Sequence, residues 1–299
     1  MTAPAAALEI TGRASGLARA LPPLLVEAQK IAATVIMGVH GRRRAGPGES
    51  FWQYRPYSFG DSTQRIDWHK SARAERVMIR ENEWEAANTL WIFADAAPGM
   101  NWRSHLSTST KRERAQLLSL AVAELALKAH ERTSALGSPF LPAHARSALI
   151  RIADWWQQGL QPQGLPEPGR LSRHSAVALF SDFLEPPDQI ARWLSSLAAR
   201  GAIGHLVQVC DPAEETLPWN GRVEFHEMAG PRRYIAGRTE SIRADYREKF
   251  LNQRAAVREA ARRLGWSFLV HRTDEPPVKT LMHLHAAIGG AKSRLARGA

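Results

Sequence analysis

Four short, almost unbroken apolar runs limit this chain's fold more than any other feature: Leu90-Trp-Ile-Phe-Ala94, Val177-Ala-Leu-Phe180, Ile203 to Val209 and Trp266 to Val270. A strand with one wet face alternates apolar and polar residues, whereas a strand covered on both faces has no reason to. Between the runs lie stretches with apolar residues three and four apart. Thr110-Lys-Arg-Glu113 is a capping-box pattern opening a helix through Leu118, Val122, Leu125 and Ala129. Pro187-Asp188 precedes Ile190, Trp193, Leu194 and Leu197, and Gly201 is placed to end that helix. Tyr246, Phe250, Val257, Ala261 and Leu264 mark a third helix that Gly265 stops, and Leu281 to Ile288 reads as helical too. Strand and helix in alternation predict an α/β, Rossmann-like fold, with a mostly parallel sheet and helices on both faces.

The predicted α/β domain runs over residues 87–299, and residues 1–86 form a separate N-terminal region. Within that region Pro22-Pro23 opens a helix with Leu24, Ala28, Ile31, Val35 and Val39 on one face. Gly41-Arg-Arg-Arg-Ala-Gly-Pro-Gly48 is a basic, glycine-rich loop, but it lacks the Gly-Lys-Ser/Thr ending of a phosphate-binding P-loop. Leu160 to Arg170 is a Pro- and Gly-rich loop, expected to lie over Trp155-Trp156. The run Arg222 to Glu227 reads as an added strand after a turn.

A net charge of +11 favours acidic partners, nucleic acid or anionic surfaces. The excess is spread as Arg from Arg13 to Arg297, and only seven of the forty basic residues are Lys. The single Cys210 excludes an internal disulfide and suits a reducing compartment. The longest apolar run, Ile31 to Val39, is nine residues, well short of the roughly 20 that span a bilayer. With no secretory leader before Ile10, a cytoplasmic protein without a membrane span is expected. Catalytic residues are not apparent. Cys210 has no neighbouring His, no Gly-x-Ser-x-Gly elbow occurs, and His283-Leu-His285 on a helix points its two rings apart.

The most distinctive stretch is Phe51 to Arg73, which carries three arginines, two aspartates, two tryptophans and two tyrosines around a Tyr57-Ser-Phe-Gly-Asp61 turn. Strands are expected near Phe51–Tyr54 and Val77–Ile79. A guanidinium can hold a carboxylate in two parallel hydrogen bonds, so Arg55, Asp61, Arg65, Asp67 and Arg73 have two readings. They form an internal lock, or with Trp68 they present a docking face to another protein. This block resembles the signature of the bacterial family called domain of unknown function fifty-eight, and the resemblance extends over roughly Gly41 to Ile288. It implies a von Willebrand factor A-like domain, and a partner in a MoxR-type AAA+ ATPase and that ATPase's client proteins. The role so implied is a non-catalytic adaptor in assembly, activation or maturation of other proteins.

Proteins with a von Willebrand A fold hold a divalent cation at the carboxyl ends of the strands, with an Asp-x-Ser-x-Ser loop and a later Asp. Here the loop reads Asp95-Ala-Ala-Pro-Gly-Met100, with Ala97 and Gly99 where the serines would be, and Asp182 matches the later carboxylate. The resemblance therefore implies a degenerate metal site at Asp95 and Asp182. No cofactor is expected beyond weakly held Mg²⁺, since hard cations need several oxygen donors. Two alternatives stand beside the adaptor: a nucleic-acid or anionic-surface binder, and a weak divalent-dependent ligand binder.

Overall fold

The computed structural model describes residues 23–40, 51–58, 66–74, 76–82 and 89–298. Contacts divide the chain into two compact units, residues 40–87 and the remainder. Helix α1 (Pro23–His40) buries Leu25, Ala28, Ile31, Ala32 and Val35, while Leu24 is only partly covered, so the apolar stripe begins one residue later than its spacing suggested. These side chains join the core of the sheet-bearing unit. Grouping this helix with the signature block thus follows chain order rather than packing, because an apolar stripe is covered by whatever apolar surface can enclose it, near in sequence or not.

The smaller unit is a hairpin of β1 (Phe51–Pro56) and β2 (Met78–Asn82), with the one-turn helix α2 (Trp68–Ser71) between them. The strands pair antiparallel, Arg55 opposite Ile79 and Pro56 opposite Met78, with a bulge between Phe51 and Gln53. Asp67 ties α2 to the hairpin: its carboxylate accepts the Lys70 N–H at 2.9 Å and its own N–H donates to the Met78 carbonyl at 3.0 Å. Ser71 closes the turn, its hydroxyl donating to the Asp67 carbonyl at 2.7 Å and accepting from the Met78 N–H at 2.8 Å.

In the larger unit β3 (Thr89–Ala94) leads through a 3₁₀ turn, Pro98–Asn101, to α3 (Lys111–Lys128). There follow β4 (Arg132–Ala135), α4 (Arg146–Gln157), β5 (Ala176–Ser181), α5 (Pro187–Ala199), β6 (Ile203–Cys210) and the short α6 (Pro212–Thr216). A second hairpin, β7 (Val223–His226) and β8 (Arg233–Ala236), precedes α7 (Thr239–Arg263), β9 (Ser267–Arg272) and α8 (Pro277–Gly298). The five-stranded sheet has the order β4-β3-β5-β6-β9, parallel throughout.

The two-period of a strand explains why the runs are apolar without interruption. Leu90, Ile92, Ala94, Ala178 and Phe180 point to one core with α1, α3, α4 and α8; Trp91, Phe93, Val177 and Leu179 point to another with α5 and α7. Helix α3 is buried on nearly every side from Leu117 to Ala126, more than the single stripe its spacing indicated, because the other helices of its face surround it. The capping box at its start is present: Thr110 Oγ accepts the Glu113 N–H at 3.1 Å and Glu113 accepts the Thr110 N–H at 2.8 Å. Gly201, at φ +78°, ends α5 with the Ala202 N–H returning to the Leu197 carbonyl, and Gly265 ends α7 in the same way.

Trp155 and Trp156 are both buried. They pack within the α1/α3/α4/α8 core, and Trp193 lies under the Pro-rich loop, its indole N–H donating to the Pro166 carbonyl at 2.6 Å. No helix among the described residues is long and apolar enough to cross a membrane.

Candidate functional site at the carboxyl end of the sheet

The chain enters the sheet at β3, moves to β4 on one side, then returns to β5 on the other. The loops after β3 and β5 therefore diverge, leaving the crevice where open α/β sheets bind ligands. Asp95 is the residue after β3 and Asp182 the residue after β5. Strand pairing sets them side by side. The Asp95 N–H donates to the Phe180 carbonyl at 2.9 Å, and the Ser181 hydroxyl donates to Asp95 Oδ2 at 2.6 Å.

Asp95 is fully buried and its other oxygen accepts the Ala97 N–H at 2.8 Å. Burial raises its pKa; the hydrogen bonds from Ser181 and Ala97 work against that rise, and the Asp182 charge adds to it. Asp182 Oδ1 accepts the Leu184 N–H at 3.2 Å, while its Oδ2 receives the ammonium of Lys111 at 2.7 Å. The same ammonium donates to Glu214 Oε1 at 2.5 Å. Lys111 is 1% exposed, at the first turn of α3. Burial opposes its charge, but Asp182 and Glu214 outweigh burial and raise its pKa, so it is a cation at any ordinary pH. Burial also pushes Glu214 upward, with Lys111 working against it.

Further pairings bind the neighbouring loops. Asp211, fully buried, accepts the Ser104 N–H at 2.9 Å and hydroxyl at 2.6 Å, and caps α6 through the Ala213 N–H at 2.9 Å. Arg254 of α7 donates to Gln208 at 2.7 Å and to Glu215 at 2.5 Å. Arg114 donates to the Thr273 carbonyl at 2.9 Å beyond β9. The loops after β3, β5, β6 and β9 are thus cross-linked by charged hydrogen bonds, which hold irregular backbone in place with little apolar burial.

A divalent ion does not fit this arrangement. Both Asp95 oxygens are engaged by Ala97 and Ser181, Asp182 is engaged by Lys111, and Ala97 and Gly99 offer no side-chain donor. A Cβ built on Gly99 would stand 3.7 Å from Asp182 Oδ2, so a residue there would face the same carboxylate. Among the described residues no group of three or more His, Cys, Asp or Glu side chains is arranged to hold a metal ion.

Around this locked centre the surface is aromatic and basic. Trp102, from the loop after β3, meets Trp219 at 6.3 Å between ring centroids; Trp219 meets Phe225 at 6.1 Å, and Phe225 meets Tyr234 at 6.4 Å. Tyr234, Ile235 and Met228 are about half exposed, at 56%, 51% and 49%. Arg222, Arg232, Arg233 and Arg238 are exposed on the same segment, Arg232 paired with Glu227 at 4.0 Å and Arg233 with Glu224 at 3.4 Å.

Of the residues singled out in the signature block, Trp68 is 67% exposed and Arg73 is exposed. Asp67 acts as the N-cap of α2, its carboxylate accepting the Lys70 N–H. Arg55 sits in β1, its side chain outside the described residues; Asp61, Arg65, the distal part of the Tyr57–Asp61 turn and Gly41–Gly48 lie outside them altogether. Cys210 is buried beside Glu215, and burial drives its thiol pKa up, away from nucleophilic use. His285 is half-buried on α8 and His283 exposed, on different faces of the helix.

Lys111 and the aromatic row were missed from sequence. The available signal for Lys111 was a lysine at the start of an apolar helix in a chain with only seven Lys among its forty basic residues.

An open parallel α/β sheet whose crevice is closed by an internal ion cluster defines the class. The chain belongs to the family described as protein of unknown function DUF58, whose model matches residues 53–148 and 165–256. Uncharacterized proteins of Mycobacterium bovis and Mycobacterium tuberculosis are each 26% identical to it over 276 residues, covering 86% of this chain and 85% of theirs. Two solved structures cover 68% of this chain and 99% of their own. One is an aerotolerance-related membrane protein from Bacteroides fragilis, at 12% identity and TM-score 0.43. The other is the conserved hypothetical protein BatB from Bacteroides thetaiotaomicron, at 10% and 0.42.

Proposed function

We propose that this protein is a non-catalytic adaptor with a von Willebrand A-like domain, working in the cytoplasm with a MoxR-type AAA+ ATPase or that ATPase's client. Docking is through the carboxyl end of the sheet, with the signature block as a second contact. The observation that carries the reading is the row Trp102, Trp219, Phe225 and Tyr234, ending in half-exposed Tyr234 and Ile235 among arginines. Aromatic and Arg residues on a rigid, already ordered support are the composition of protein-binding hot spots. The buried thiol and the internally satisfied carboxylates favour recognition over chemistry.

The test is binding to a purified MoxR-type AAA+ ATPase from the same organism. Tyr234→Ala, Trp68→Ala and Arg73→Ala change exposed groups, so each variant should fold. A hot-spot contact at Tyr234 is worth about 2 kcal/mol, so Tyr234→Ala should weaken binding roughly 30-fold. Equal affinity for wild type and all three variants would remove the docking role.

A second reading, nucleic-acid or anionic-surface binding, is favoured by Arg222, Arg232, Arg233 and Arg238 beside Tyr234. It requires retention on single-stranded DNA that falls steeply with salt. Weak, sequence-blind retention with a shallow slope would dismiss it.

A further inference from the structure

The cluster at the carboxyl end of β3 and β5 brings four carboxyl groups, Asp95, Asp182, Glu185 and Glu214, under the influence of one ammonium, that of Lys111. We propose that Lys111 is a built-in cation at the switch point of the sheet, taking the place of a free divalent ion and making the loops it joins independent of metal. This holds whatever partner the surface binds.

Three observations carry it. First, the ammonium donates to both Asp182 Oδ2, in the loop after β5, and Glu214 Oε1, in α6 after β6, while the lysine itself begins α3 after β3. One positive centre therefore joins the segments that follow β3, β5 and β6. Second, the site is closed: Lys111 is 1% exposed and the side chains of Asp182 and Glu214 only 9% and 12%, so water does not screen the pairs. Third, an ammonium is a compact point charge on a flexible stem and matches the size and demands of a small hard cation, which a planar guanidinium does not. In a chain with 40 Lys and Arg residues, only seven of them Lys, a lysine stands at this position.

A mere surface-type pair would leave nothing behind when removed. A built-in cation would leave a vacancy for another one. Both carboxylate oxygens lie within hydrogen-bond reach of a single nitrogen, a spacing that a divalent ion with oxygen bonds of roughly 2.0–2.6 Å can bridge.

The test follows thermal unfolding of the full chain in EDTA and in millimolar Mn²⁺, with Mn²⁺ binding read separately by electron paramagnetic resonance. Wild type should unfold at the same temperature in both and bind no Mn²⁺. Lys111→Ala should lose roughly 10 °C in EDTA, because two buried carboxylates lose their partner. Mn²⁺ should restore much of that loss in a saturable way, and Lys111→Ala/Asp182→Asn should show no such recovery. Lys111→Arg should unfold below wild type and gain nothing from Mn²⁺. Should Lys111→Ala fail to fold in EDTA, refolding with Mn²⁺ decides: folded protein only with the metal supports the proposal, and none in either buffer overturns it. A wild-type response to Mn²⁺ that Asp182→Asn abolishes would overturn it too, as would a Lys111→Ala protein that is unharmed or is not rescued.

Discussion

Glu185, three residues beyond the Asp182 loop position, offers a sharp check on the electrostatics of the sheet's upper end. Burial lifts its pKa from the ordinary 4.5 to about 7, with Asp95 and Asp182 adding to the rise and Lys111 opposing it. Its Oε2 is buried without a hydrogen-bond partner, and only the hydrogen bond from the residue's own backbone N–H and the more distant Lys111 charge work against the rise. A carboxyl raised in the folded state binds its proton more tightly folded than unfolded. Stability from this group is therefore full below pH 4.5 and falls as pH rises through the window from 4.5 to about 7. At 1.36 kcal/mol per pH unit the full span gives an upper bound near 3 kcal/mol; the group is partly exposed, and solvent screening reduces this to about 2 kcal/mol. Glu185→Gln keeps the shape and removes the charge. At pH 8 the variant should be more stable than wild type by about 2 kcal/mol, or roughly 4–8 °C in Tm, and at pH 5 the two should nearly coincide. The comparison has to be a difference, because His271, buried and pushed down to about 4, loses stability in the opposite direction as pH falls. Thermal unfolding of both proteins from pH 5 to 8 decides the matter. A pH-independent gap, or a variant weaker than wild type at pH 8, would refute the reasoning.

Other outcomes follow from packing and burial. A Cβ on Gly204 of β6 would fall 1.8 Å from the Trp266 ring, so Gly204→Ala should cost about 3 kcal/mol, seen as a lower urea midpoint. A midpoint unchanged within error would mean that the indole moves freely. Cys210 should take up no thiol reagent at pH 8 in the native protein and one equivalent in denaturant. Labelling of the native state at the denatured rate would contradict the burial described for β6.

Much of the fold was legible because it rests on local patterns. Apolar runs marked the strands at Leu90, Val177, Ile203 and Ser267, of which the first three are buried on both faces while β9, at the sheet edge, is only half-buried; Thr110, Gly201 and Gly265 marked helix ends. The neighbouring strands β4 and β8 escaped for the opposite reason. Arg132-Thr-Ser-Ala135 is an edge strand without an apolar run, and Arg233-Tyr-Ile-Ala236 is mostly exposed in a hairpin of two. The approach of Asp95 to Asp182 could be read because each follows a recognisable strand. The cation that joins Asp182 to Glu214 could not: Lys111 is 71 positions from Asp182 and 103 from Glu214, and a bond across such distances leaves no periodicity to detect.

Helix α1 has a consequence for how the protein is made. Its apolar residues Leu25, Ala28, Ile31 and Val35 are covered by strands and helices that begin only after residue 88. Synthesis proceeds from the N-terminus, so this helix leaves the ribosome uncovered, and the small hairpin unit of residues 40–87 emerges whole before any strand of the main sheet. The nascent chain therefore carries an orphaned greasy face for the time needed to translate at least the next hundred residues, an interval in which chaperones have a defined segment to hold.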